Sequence, residues 1–232
     1  MQSCTVESVH ADGSIVLREV TVRYGKRIAL DQVTGEFRAG SLTAVVGANG
    51  AGKSTLLAAI AGSVRPAQGA IDRPAGSLAY LPQRTLIDTS YPMTVSELIM
   101  LGAWREFGAF RAPGRATWSR LAAAAEVVGL TGRLERRIDE LSVGELQRAL
   151  FARLILQDAA TLLLDEPFAA VDEQTAEVLL QQVMRWHQDG RTVIAVLHDL
   201  DMVRQWFPAT VVLARQCIAW GTTEVALRAE AA

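Results

Sequence analysis

The chain has 232 residues, half of them hydrophobic, and a formal net charge of −2 at pH 7. Its length fits one domain or two small lobes around a substantial core, and its hydrophobic fraction excludes intrinsic disorder. The near-neutral balance leaves no electrostatic footprint for nucleic acid, because the cations, arginine everywhere except Lys26 and Lys53, are scattered rather than blocked.

The first ten residues lack a signal-type apolar core, and no segment reaches the ~20 apolar residues of a membrane span. Cys4 and Cys217 have no metal-type spacing, which suits a reducing compartment. Cys4, Glu7, His10 and Asp12 match no standard ligand pattern and read as a frayed terminus. The expectation is a soluble, cytoplasmic protein.

Residues 15–22, 28–37 and 42–46 are short β-branched runs separated by Tyr24-Gly25-Lys26 and Ala39-Gly40, and predict strands. The third runs directly into Gly47-Ala48-Asn49-Gly50-Ala51-Gly52-Lys53-Ser54. The spacing G-x-x-x-x-G-K-S fits a phosphate-binding loop, since a glycine-rich turn lets several backbone N–H groups converge on a triphosphate without a Cβ in the way. Lys53 would reach the β- and γ-phosphates, and the Ser54 hydroxyl would ligate Mg²⁺. A helix from near Gly52 through Leu56, Leu57 and Ile60 would aim its positive dipole end at the phosphates and stop at Gly62.

Residues 68–72 and 78–81 are two more strand candidates. Thr94-Val95-Ser96-Glu97 fits a capping box opening a helix through Leu101. Residues 102–114 read as a linker with Trp104, Phe107 and Phe110, 115–128 as a helix ending at Gly129, and 143–157 as another helix. There follow a strand at 161–164, a helix at 173–188 closed by Gly190, a strand at 192–197, a helix at 200–207 stopped by Pro208, and a hairpin of 211–214 with 217–220. Strands alternating with helices imply an α/β fold with a largely parallel sheet, the middle ~70 residues forming a helical lobe.

The apolar strand at 161–164 ends in Asp165-Glu166, and strand C-termini are where open α/β sheets place ligands. Asp165 can hold Mg²⁺ through water while Glu166 polarises the water that attacks a γ-phosphate. His198 follows the strand at 192–197 and can sense the γ-phosphate. Gln83, after Tyr80-Leu81-Pro82, is a neutral amide able to reach metal and water.

Leu141-Ser142-Val143-Gly144-Glu145-Leu146-Gln147-Arg148 resembles the signature of the ATP-binding cassette (ABC) ATPases, and that family's motifs run in order through nearly the whole chain. The resemblance places Tyr24 as the aromatic that stacks on adenine and Gly47, Ala48, Asn49, Gly50, Ala51, Gly52, Lys53, Ser54 and Thr55 on the nucleotide phosphates. It makes Gln83 the Q-loop residue, Ala170-Val171-Asp172 the D-loop, Glu166 and His198 catalytic with Gln83, and Ser54, Gln83 and Asp165 the Mg²⁺ set. It further implies a P-loop NTPase cassette with a RecA-like mixed-sheet core, an antiparallel β subdomain and a helical subdomain. The expected domain is single, with residues 1–83 and 158–232 forming the core and about 84–157 the helical part. The implied cofactors are ATP and Mg²⁺. The implied partners are a second copy of the chain, whose Ser142, Val143, Gly144 and Glu145 act in trans, the transmembrane permease subunits and, indirectly, an extracytoplasmic substrate-binding protein. The implied location is peripheral, on the cytoplasmic face of the membrane.

The family signature usually reads L-S-G-G-Q, so Val143 and Glu145 depart from it. Glu145 either faces the partner's triphosphate and repels it, or folds back onto the Ser142 N–H as a capping box; the second is favoured because it keeps the charge at a favourable helix start. Within the family the chain resembles ATPase subunits of zinc and manganese importers, through Tyr91-Pro92-Met93-Thr94-Val95, Leu101-Gly102, residues 108–111, Leu197-His198-Asp199-Leu200, Phe207-Pro208, residues 211–215 and Ala219-Trp220-Gly221. Iron-chelate importers are the alternative, and a soluble ABC ATPase uncoupled from transport a more distant one. Leu98, Ile99, Met100, Trp104, Phe107 and Phe110 form either a groove for a permease helix or the lobe's own core.

Overall fold

The computed structural model describes residues 13–83, 91–108, 111–169 and 171–230. Cys4, Glu7, His10, Asp12, Phe110 and Ala170 lie outside the described residues. The strands are β1 (Ile15–Tyr24), β2 (Arg27–Phe37), β3 (Leu42–Val46), β4 (Gln68–Asp72), β5 (Leu78–Leu81), β6 (Thr161–Asp165), β7 (Thr192–Val196), β8 (Ala209–Ala214) and β9 (Gln216–Thr222). The helices are α1 (Lys53–Ala61), α2 (Val95–Met100), α3 (Trp104–Phe107), α4 (Arg115–Val127), α5 (Val143–Gln157), α6 (Glu173–Gln188), α7 (Leu200–Trp206) and α8 (Thr223–Glu230).

Two sheets result. One is antiparallel, in the order β2-β1-β4; the other runs β5-β6-β7-β3-β8-β9, parallel throughout except for β9, which closes antiparallel on β8. The central strands β3, β6 and β7 are buried at every residue, as a parallel sheet covered on both faces requires. Alternation along them divides the core in two. Leu42, Ala44, Val46, Leu162 and Leu164 face the layer that holds α2, α4, α5 and α6. Val45, Leu163, Ile194 and Val196 face α1 and the three-stranded sheet, where Leu17, Leu30, Val33 and Phe37 meet Leu56, Leu57 and Ile60.

The helical segment does not have a core of its own. Val95, Leu98, Ile99, Leu121, Leu146 and Leu150 are buried in one cluster with Leu162, Leu164 and Val193 of the large sheet, so α5 packs on both sides at once. α2 opens on the expected capping box, the Thr94 hydroxyl accepting from the Glu97 N–H while the Glu97 carboxylate accepts from the Thr94 N–H. The expected linker at 102–114 is partly helical: a 3₁₀ turn at Leu101–Ala103 continues into α3, because Ala103 and the partly buried Phe107 anchor one side of it to the core. The chain also ends in a helix, α8, that the sequence pattern did not announce. It seats Ala226 and Leu227 and is held at Thr223, which donates to the Phe207 carbonyl.

Candidate nucleotide site

The loop between β3 and α1 takes its shape from glycine. Gly52, at φ 97°, caps α1 without a side-chain hydrogen bond, and a Cβ there would lie 2.4 Å from the Ala29 carbonyl oxygen. The first N–H groups of α1 therefore remain open toward the loop, a ready site for anionic oxygens. Lys53 Nζ donates to the carbonyls of Gly47 (2.7 Å) and Ala48 (3.1 Å), which closes the loop around the ammonium.

In front of this loop lies a cavity of about 750 Å³. It is lined by Tyr24 from the end of β1, by each residue from Asn49 through Thr55 after β3, and by Gln83, Glu166 and His198 after β5, β6 and β7, so that the ends of five strands converge on it. Arg27 and Ala29, which were not anticipated, line it as well. Tyr24 and Arg27 are register partners across the β1–β2 turn, so the hairpin presents an exposed aromatic face and a guanidinium together.

At the floor, Ser54 Oγ donates to Asp165 Oδ1 at 3.1 Å. The other oxygen, Asp165 Oδ2, is buried and has no hydrogen-bond partner among the described residues, which raises the cost of keeping the carboxylate ionised. Burial is the main cause of an Asp165 pKa above the ordinary carboxylate value, with the Ser54 hydrogen bond opposing it and Glu166 adding to it. Desolvation, followed by the charge of Asp165, pushes the Tyr80 phenol up to about 12. A divalent cation beside Ser54 would satisfy the orphaned oxygen and reverse this destabilisation, so the donor set fits Mg²⁺.

Above the floor, Glu166 is gripped at both oxygens. Gln83 Nε2 donates to Oε2 at 3.2 Å, and His198 Nε2 lies 2.7 Å from Oε1. Glu166 also adopts φ 51°, a left-handed backbone that a non-glycine residue occupies at a cost, as often found at working sites.

The predicted signature residues Ser142, Val143, Gly144 and Glu145 are not part of this lining, nor is Asp172. They gather elsewhere: a Cβ on Gly144 would sit 3.9 Å from Asp172 Oδ2. Ser142 caps α5, its hydroxyl accepting from the Glu145 N–H (3.2 Å) while Glu145 Oε2 accepts from the Ser142 N–H (2.9 Å). Arg133 Nε stands 3.3 Å from Glu145 Oε1. The Ser142 hydrogen bonds first, then Arg133 and Arg136, hold the Glu145 carboxyl below its ordinary value. Asp172 caps α6 through both the N–H and the hydroxyl of Thr175.

Comparison with known proteins identifies the architecture. Residues 30–169 match the ABC transporter family. The manganese transport system ATP-binding protein MntB of Listeria monocytogenes is 35% identical over 215 residues, 90% of each chain. The zinc transport system ATP-binding protein TroB of Treponema pallidum is 34% identical over 235 residues, 98% of this chain and 86% of its own. Among solved structures, a metal-chelate type ABC transporter in an inward-facing conformation superposes with a TM-score of 0.81 at 25% identity, covering 92% of this chain and 84% of its own. With the phosphate loop, the paired carboxylates and this likeness along most of its length, the chain belongs to the ABC transporter family.

Proposed function

We propose that the chain is the ATP-hydrolysing subunit of a bacterial importer for manganese or zinc. The observation that carries the reaction is Glu166, held between Gln83 and His198 at the mouth of the phosphate-loop cavity. Adenine stacks on Tyr24, and the phosphates lie on the N–H groups of residues 49–55 with Lys53 against the β- and γ-oxygens. Ser54 and Asp165, with Gln83, would hold Mg²⁺, which would supply positive charge to offset that of the phosphate oxygens. Glu166 draws a proton from a water whose oxygen attacks the γ-phosphorus, the bond from that phosphorus to the bridging oxygen breaks, and ADP leaves. His198 orients Glu166 and reads the γ-phosphate.

A second copy completes the site. In one chain Ser142 heads a fifteen-residue helix yet lines no part of the cavity, so its anion-binding helix start is available to the nucleotide of a partner copy. On this reading the segment of about 84–157 moves as a helical lobe, and the subunit docks peripherally on the cytoplasmic side of transmembrane permease subunits served by a substrate-binding protein. Among the described residues no helix is long and apolar enough to cross a membrane. The manganese and zinc systems of the relatives support the metal over an iron chelate as cargo.

The test is hydrolysis by the wild type against Glu166→Gln. A fall of roughly a hundredfold or more is expected for loss of a general base, with nucleotide still bound; equal rates would overturn the assignment. Uptake of Mn²⁺ and Zn²⁺ by the reconstituted complex, with an iron chelate as competitor, separates the cargoes.

A further inference from the structure

The second half of α5 runs along the open side of β5. Among the described residues that strand is the edge of the large sheet and pairs only with β6, so its outward carbonyls need donors from elsewhere. Two α5 side chains one turn apart supply them: Arg153 Nη2 donates to the Tyr80 carbonyl at 3.1 Å and Gln157 Nε2 to the Leu78 carbonyl at 3.0 Å. Residues four apart on a helix share a face, and residues two apart on a strand share a side, so helix and strand are joined at two matched points. One end of this unit is Ser142. The other is Gln83, two residues beyond β5, with its amide on Glu166.

The junction has a third member. A Cβ on Gly102 would lie 2.3 Å from the Arg153 carbonyl oxygen and 3.1 Å from the Gln157 backbone nitrogen. The 3₁₀ turn leading into α3 and Trp104 therefore rests on α5 at the same level. Packing alone does not call for a guanidinium here. Arg153 makes no ion pair among the described residues, its Nε is buried without a hydrogen-bond partner, and burial presses its pKa down. A partly buried cation with no counter-charge among the described residues is a cost that an apolar side chain would avoid.

We propose that Arg153 is a positioning residue that couples the helix beginning at Ser142 to the strand leading to Gln83, so that displacement of α5 or of the turn behind Trp104 is delivered to Glu166. The proposal rests on the reading of the cavity as an ATP site. Its test is a double-mutant cycle in the full chain, with Arg153→Met to remove the donors while keeping an unbranched apolar stem, Gln83→Ala, and both together. The expected result for Arg153→Met is an ATP Kd within twofold of wild type, an unchanged or raised Tm, and kcat lowered about tenfold. The double variant is expected to fall no further than the worse single one, because the two residues act in series. A kcat within twofold of wild type for Arg153→Met, or losses that multiply, would overturn the coupling. If Arg153→Met does not fold, Arg153→Lys carries the same cycle, since it keeps the charge and shortens the reach. Glu166→Gln, run alongside, separates the two failures: hydrolysis lost there with multiplicative losses in the cycle overturns the coupling alone, whereas hydrolysis retained there overturns the ATP-site reading and the coupling with it.

Discussion

Glu166 is oriented by an amide and an imidazole, not by a permanent cation. A guanidinium in either place would stabilise the carboxylate and weaken it as a base. The permanent cations lie on the phosphate side instead, where Lys53 and Arg27 line the cavity. The Arg27 Nη2 is 3.4 Å from the point a Gly50 Cβ would occupy, over the outer edge of the phosphate loop. Arg27→Ala is therefore expected to weaken ATP and ADP binding about fivefold, roughly 1 kcal/mol for a partly screened charge, and to leave adenosine unaffected; titration with the three ligands checks it. Glu145 is a different case, since its charge is absorbed by Ser142 and Arg133. Replacing it with Gln preserves the cap, so turnover is expected to change by less than about tenfold, or ~1.4 kcal/mol; a larger rise would mean that the carboxylate faces nucleotide. Because the folded pKa of Glu145 is lowered, its stabilisation is complete above the unfolded value near 4.3 and is lost as pH falls through the folded one. The stability gap between wild type and Glu145→Ala should be about 1 kcal/mol at neutral pH, the usual size of a cap, and should narrow in denaturant titrations as the pH is taken progressively below the ordinary carboxylate range.

Among the elements, α2, the 3₁₀ turn and α3 form the wall of a second, apolar cavity of about 310 Å³ between Tyr91, Met93, Met100, Leu101, Trp104 and Phe107. The stretch divides by burial. Leu98, Ile99 and Met100 are buried in the core, whereas Trp104 is 49% exposed and stands edge-on to Phe107 at 5.7 Å. Trp104→Ala is thus expected to leave Tm and ATP affinity near wild type while co-purification with the permease is lost; a misfolded variant would assign Trp104 to the core. The turn was hidden in the sequence because Gly102 and Gly108 read as breakers. What fixes the segment is burial of Ala103 against α5, a tertiary effect that local propensity does not carry. α8 was hidden for a related reason: eight residues long and starting between two threonines, it depends on the surface prepared for it by β8 and α7. The buried strands were legible because both of their faces are covered, which writes an unbroken apolar run. The site was legible where a motif is local, as in residues 47–54. The meeting of Gln83, Glu166 and His198 joins residues 83 and 32 positions apart, and Arg27 has no motif to give its charge an address.

At the scale of the whole molecule, the open cavity and the outlying patch of Ser142, Gly144 and Asp172 are two halves of one interface if two copies meet head to tail. The net charge of −2 on each chain opposes association only weakly, and salt screens it further. What must be overcome is the loss of translational and rotational freedom of two subunits, and the γ-phosphate is the group able to tip that balance by binding both chains at once. Gly144 offers a clean probe. It lies in the first turn of α5, and among the described residues a Cβ there meets nothing closer than Asp172 Oδ2 at 3.9 Å, so the monomer has room for a side chain to start from this position. A carboxylate placed there would meet both Asp172 and the partner's triphosphate. In the Glu166→Gln background, which preserves bound ATP, the chain is expected to run at twice its 25.1 kDa mass in light scattering with ATP and Mg²⁺, and as a monomer with ADP. Gly144→Glu added to that background should abolish the dimer while the monomer's ATP affinity stays within a few-fold. A dimer that forms without ATP, or that survives Gly144→Glu, would place the interface on some other face of the molecule.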